Sequence, residues 1–137
     1  MNALEEGTTL TLDFAKLQAI AARGQLVVPV VLQDADSGHV LFVAYANDEA
    51  LRETLRTRRA VLWSTSRSEL WRKGETSGDV LELVDVRVNC EQNSLLYRVR
   101  PRGGGVCHTR DERGRTRPTC YYRRVLESGT ALGFVVR

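Results

Sequence analysis

Three cysteines carry the sharpest chemistry in this chain: Cys90, Cys107 and Cys120, with sixteen residues between the first two and twelve between the last two. Three thiols cannot all pair within one chain, and a cytoplasmic setting keeps thiols reduced, which leaves metal binding or plain burial. As thiolates they would form the protein ligand set of a zinc ion whose fourth position stays open to water. The spacing lacks the CxxC pairs of structural zinc ribbons, so the surroundings must decide. Cys107 adjoins His108 behind Gly103-Gly104-Gly105, and Cys120 follows Pro118 and Thr119, which puts both at loop ends where backbones can converge. His108, with an ordinary pKa of about 6.5, suits a general base or proton shuttle; its alternative is a turn histidine bonded to backbone. His39, at a strand start beside Gly38, reads as solvent-facing.

A second chemical feature is the polar segment STSRSELWRKGETSG, residues 64–78. Arg67, Arg72 and Lys73 are anion ligands, Ser64, Ser66, Thr76 and Ser77 are hydroxyl donors, and backbone near Gly74 and Gly78 can approach a ligand closely. That mixture suits a phosphate or a ribose, or else a solvated charged loop. Trp63 and Trp71 could stack on a base or sit in the core. The segment is long enough to be read as one functional loop, ordered by Leu70 and Trp71.

The elements that must position these residues are mostly strands. LVVPVVLQ (26–33) and HVLFVAYA (39–46) flank the turn Asp34–Gly38 and predict a hairpin, with Pro29 placing the first strand at an edge or a bulge. Asn47 predicts an N-cap for a helix running to Arg58, with Ala50 and Leu55 facing the core. Further strands are expected at Val61–Trp63, Val80–Val88, Ser94–Arg100 and Cys120–Arg123, giving about six strands to two helices. Residues 1–24 read as an arm with a short amphipathic helix whose Phe14, Leu17 and Ile20 recur at helical spacing before Gly24. Residues 25–124 form one domain and 125–137 a C-terminal extension. The expected class is a small, β-rich α+β fold.

Composition narrows the partners. The 137 residues are 42% hydrophobic and 27% charged, as in one globular domain, with formal charge +3. Lysine occurs only at Lys16 and Lys73, so the positive charge is nearly all arginine, whose planar fork suits phosphate. Residues 1–50 hold seven acidic and two basic side chains, and residues 51–137 ten and eighteen, so the second half should face an anion. Nucleic acid is disfavoured, because no RNA-binding aromatic signature accompanies the arginines and Asp111 and Glu112 interrupt them. No apolar run reaches the roughly 18 residues of a membrane span, and Glu5 and Glu6 stand where a secretory signal wants Lys or Arg. A cytoplasmic protein without membrane contact is expected.

Taken in order, Val40-Leu41, Ala44-Tyr45, Asn47-Asp48-Glu49-Ala50-Leu51, Trp63-Ser64, Ser66-Arg67, the uninterrupted LWRKGETSG (70–78, including Glu75), Val86-Arg87-Val88, Cys90, Cys107-His108-Thr109 and Cys120-Tyr121-Tyr122-Arg123 resemble the phosphoribosyl-AMP cyclohydrolases of histidine biosynthesis. The resemblance covers about residues 25–124. It implies an intertwined homodimer with its active site at the subunit boundary, where zinc is held by Cys90 from one chain and Cys107 and Cys120 from the other. It further implies a phosphorylated nucleotide substrate bound by Trp63, Ser64, Ser66, Arg67, Trp71, Lys73, Glu75, Thr76 and Ser77. The implied reaction is hydrolytic opening of the adenine ring of N1-phosphoribosyl-AMP between N1 and C6, with His108 carrying the proton.

The chain departs from the family pattern twice. The family's Asp-Cys-Asp-x-Asp, which holds magnesium, reads Asn89-Cys90-Glu91-Gln92-Asn93, one carboxylate and two amides where a hard octahedral cation wants charged oxygens. The family also leaves about six residues between its last two cysteines, where this chain has twelve. Arg110, Arg113, Arg115 and Arg117 in that longer connection could replace the magnesium as phosphate ligands, or belong to a solvated loop. Two alternatives follow: a divergent paralogue opening a different heterocycle or cyclic amidine, and a non-catalytic, zinc-stabilised nucleotide-binding module.

Overall fold

The computed structural model describes residues 2–135. In chain order the elements are α1 (Ala3–Glu6), α2 (Lys16–Ala22), β1 (Val28–Asp34), β2 (Val40–Ala46), α3 (Asp48–Thr57), β3 (Val61–Ser64), β4 (Glu69–Arg72), β5 (Leu81–Val88), β6 (Leu95–Pro101), β7 (Arg123–Val125) and β8 (Leu132–Phe134). The architecture is a small single-domain α+β fold rich in sheet.

The main sheet has the order β2-β1-β6-β5, antiparallel except between β1 and β6. The expected hairpin forms β1 and β2, and Asp34 Oδ1 accepts from the amides of Asp36 and Ser37 to close its turn. β1 lies inside the sheet, not at an edge as Pro29 suggested. Pro29 is accommodated because pairing with β6 begins only at Val30, so its missing N–H faces no partner there. Val30 and Leu32 alternate into a core with Leu62, Leu81, Tyr97 and Val99, all fully buried.

Helix α3 begins as its sequence dictates, with Asn47 Oδ1 accepting from Ala50 N at 2.9 Å, and ends at Arg58 in the left-handed conformation. Ala50 is buried as expected, but Leu55 is half exposed. Thr54 takes the core position, because its hydroxyl accepts from Val61 N at 2.9 Å, lies 2.9 Å from the Ala50 carbonyl oxygen and meets Tyr97 Oη at 3.4 Å. A fully bonded hydroxyl can be buried where an unpartnered one could not.

At the N-terminus, α2 forms with Gly24 just beyond it at φ +67°, but of the three apolar residues only Ile20 is buried, while Phe14 and Leu17 face outward. The Cys120–Arg123 strand starts only at Arg123, since Thr119 Oγ1 and Cys120 N are engaged by the carbonyls of Val40 and Leu41. The C-terminal extension supplies β8, and the two chain ends meet: Leu10 N donates to Thr130 O and Leu132 N to Thr8 O, at 2.9 and 2.7 Å. Among the described residues no helix is long and apolar enough to cross a membrane.

Candidate active site

The connection between the last two cysteines goes out and returns to its starting point. Val106 N and Cys107 N both donate to Arg117 O at 2.9 Å, Arg117 N donates to Thr109 O, and Arg110 bridges to Thr116. Asp111 ties the tip, accepting from the amides of Arg113 and Arg115 and from Arg115 Nε. The longer connection is therefore a closed hairpin that leaves its two ends together. At its base Gly105 has no room for a side chain, since a Cβ there would strike the Thr116 carbonyl.

This closure brings the Cys107 and Cys120 thiols near enough to influence one another. Donation from Cys120 pulls the Cys107 pKa down to about 5 against the opposing effect of burial, helped by Thr109, whose Oγ1 lies at 3.1 Å, and by His108. Cys120 is pushed up by the same sharing and by burial, with Lys73 acting the other way. Two neighbouring sulfurs, one of them shifted toward the thiolate, suit a thiophilic cation. His108 projects from the same hairpin, its Nε2 3.0 Å from Glu5 Oε1 on α1.

The polar segment 64–78 is not one loop. Its centre pairs as β4 against β3, Val61 with Arg72 and Ser64 with Glu69, so its two ends lie three residue steps, roughly 10 Å, apart. At one end Ser64 Oγ meets Ser66 Oγ at 3.4 Å and accepts from Arg67 N, beside Trp63, whose indole donates to Gln25 Oε1 at 2.8 Å. At the other, Lys73, Glu75, Thr76 and Ser77 form a turn on Gly74, which takes φ +82° and packs so closely on Asp79–Val80 that a Cβ would overlap their backbone. This second end acts electrostatically on Cys120 through Lys73. It lines a cavity of about 550 Å³ with Arg59, Arg72, Lys73 and Glu75 on its wall. Trp71 packs on the core against Phe42, ring centroids 6.0 Å apart.

Cys90 stands elsewhere, exposed in the β5–β6 turn. That turn follows Val88, at the sheet end occupied by Val28 and Ala46, whereas Cys120 docks on Leu41, near the opposite end. Among the described residues, no group of three Cys, His, Asp or Glu side chains is gathered for a metal.

The phosphoribosyl-AMP cyclohydrolase family profile matches residues 42–122, which span the hairpin β1–β2 from its second strand, the polar segment and all three cysteines. The chain belongs to the phosphoribosyl-AMP cyclohydrolase family. Its members are hydrolases that act on a cyclic amidine. A phosphoribosyl-AMP cyclohydrolase from Hyphomonas neptunium is 44% identical over 108 residues, 79% of this chain and 76% of that protein. One from Sphingopyxis alaskensis is 48% identical over 103 residues, 75% of this chain and 76% of the other. The histidine biosynthesis bifunctional protein HisIE of Thermus thermophilus is 50% identical over 120 residues; these are 88% of this chain and 53% of that protein, so the chain spans about half of this relative.

The cyclohydrolase site can be tested against the metals its resemblance implies. Two adjacent sulfurs, one strongly acidified, suit zinc, with one further ligand needed from outside the pair. Magnesium does not fit. Asn89 Oδ1 accepts from the amides of Asn93 and Ser94, Asn89 Nδ2 donates to Asn93 Oδ1 at 2.6 Å, and Asn93 Nδ2 donates to Glu91 Oε2 at 3.1 Å. Three of the oxygens that a cation would need, Asn89 Oδ1, Asn93 Oδ1 and Glu91 Oε2, are engaged in closing the turn.

Two functional candidates need revision and two were missed. Arg117 is no free phosphate ligand: it is buried, donates twice to Glu6 at 2.6 and 2.9 Å and stacks 4.0 Å over the Tyr122 ring. Arg115 is likewise engaged by Asp111. The missed residues are Glu5 and Glu6, whose partners lie 103 and 111 positions away and leave no local signature.

Proposed function

We propose that the protein is a zinc-dependent cyclohydrolase that opens the adenine six-membered ring of N1-phosphoribosyl-AMP between N1 and C6. The observation that carries this is the Cys107–Cys120 sulfur pair, held beside His108 and within electrostatic reach of Lys73 from the LWRKGETSG segment. The curated relatives that bear this activity in their names support it.

The substrate's chemistry accounts for the arrangement. Alkylation at N1 makes C6 electrophilic, so water adds there; the C6–O bond forms, the C6–N1 bond breaks, N1 takes the proton, and the exocyclic nitrogen stays on carbon as an amide. His108 would move that proton. Zinc, held by Cys107 and Cys120 with Cys90 of a second copy, would supply Lewis acidity for the water. Lys73 and the Thr76–Ser77 hydroxyls would face the phosphates, and Arg67 with Ser64 and Ser66 would serve the other end of a bisphosphorylated ligand. The working unit on this reading is a cytoplasmic homodimer.

Purified protein carrying one zinc per chain should convert N1-phosphoribosyl-AMP to its ring-opened product. Absence of product, with or without added magnesium, overturns the assignment. The hydrogen-bonded Asn89–Asn93 turn favours one second reading, a paralogue that retains the hydrolytic centre and acts on another phosphorylated cyclic amidine. Restoring aspartate at 89, 91 and 93 would then raise magnesium affinity and turnover of the family substrate together; unchanged turnover counts against it.

A further inference from the structure

We infer that Glu5 is the positioning residue of His108, holding the ring through Nε2 and leaving Nδ1 as the nitrogen that can accept a proton. This inference rests on the reading in which His108 carries the proton, and extends the site to the N-terminal arm. The ionised carboxylate can only accept, so the 3.0 Å contact from Glu5 Oε1 to His108 Nε2 requires the hydrogen on Nε2. In the neutral ring, the lone pair is then on Nδ1.

The arm is held by contacts independent of that carboxylate. Glu6 takes both arms of the buried Arg117 guanidinium, Arg123 donates to the carbonyls of Leu4 and Gly7 at 2.9 Å each, and Tyr122 Oη donates to the Glu5 carbonyl at 2.8 Å. The acceptors lie on or just after α1, and the donors in the segment that follows the Cys107–Cys120 hairpin or at its base. Glu5 is thereby delivered to the site by its backbone, and its carboxylate meets His108 at 3.0 Å and the Asn2 amide at 3.4 Å. His108 in turn has a side chain 78% exposed, so packing contributes little to its orientation. An exposed pair of this kind adds little to stability, which separates positioning from scaffolding.

The test uses zinc-loaded, ¹⁵N-histidine-labelled protein. The chain has two histidines, so His39→Gln assigns the spectrum. Wild-type His108 should show the Nε2–H tautomer. Glu5→Ala should redistribute the ring between tautomers and lower kcat about tenfold, as second-layer partners typically do, with KM and Tm unchanged. Glu5→Gln, which keeps an acceptor oxygen, should recover both tautomer and kcat. A Glu5→Ala protein with wild-type spectrum and kcat overturns the inference, as does a loss of kcat that only follows a fall in Tm. His108→Ala separates the failures: if it is inactive while Glu5→Ala is fully active, only the positioning role fails; if it is fully active, the proton-carrier reading fails and positioning falls with it.

Discussion

The two cysteine-bearing turns of this molecule are built on opposite principles. The Cys107–Cys120 hairpin draws on distant parts of the chain: β2 through Leu41, α1 through Glu5 and Glu6, and Lys73 from the polar segment. Its polar groups point at each other across long sequence separations, and within it Cys120, Thr109 and His108 pull the Cys107 pKa down. The Asn89–Asn93 turn is local. Its amides satisfy one another within five residues, and its single thiol is exposed with no metal-ligating neighbour gathered around it. The difference suits the proposed reading, in which each chain offers one long-range assembly and one self-sufficient loop to a site shared between two copies.

The sharpest way to break the contrast is at the hairpin base. Gly105→Ala forces a Cβ against the Thr116 backbone, whereas Gly104→Ala meets nothing within 4 Å. Thermal unfolding should show Gly105→Ala destabilised by about 1–3 kcal/mol and depleted of zinc, with Gly104→Ala within about 0.5 kcal/mol of wild type. Equal tolerance at both positions would mean that the hairpin does not hold the sulfurs together.

A smaller effect should come from acid. Hydrogen bonds from Arg117 hold the Glu6 carboxyl below the usual carboxylate range. Its stabilising contribution is therefore complete above the unfolded value, about 4.3, and is lost as pH falls through the lowered folded value. Amide exchange at residues 3–7 should accelerate in that acid window while the β5–β6 turn stays unaffected, and Glu6→Gln should abolish the step. The least effect is expected from magnesium: titration calorimetry on wild type should register no binding, and turnover should not respond to the ion. Heat from a tight site would show that the amide ring opens to admit a cation.

How far the sequence reached follows the same division between local and distant. The hairpin turn at Asp34, the Asn47 cap and the strands around Tyr97 were legible because each is written in neighbouring residues. Strand β4 was hidden because only Leu70 and Trp71 are apolar in a run of charge, and its partner β3, not its composition, makes it a strand. Thr54 was passed over for Leu55 because burial of a hydroxyl depends on Val61 and Tyr97, seven and forty-three residues away. The cysteines and the LWRKGETSG segment were legible through resemblance. That Lys73 follows one end of β4 while Ser64 and Ser66 lie at the other could only come from the register of the hairpin.

The claim on which the account turns is that one working centre draws Cys90 from one copy and Cys107 and Cys120 from another. Cys90→Ala and Cys107→Ala proteins should each be inactive alone. Denatured together in equal amounts and refolded with zinc, they should regain about a quarter of wild-type activity, because half the dimers are mixed and each mixed dimer has one intact set of ligands. No recovery in the mixture, or full activity of either variant by itself, would contradict it.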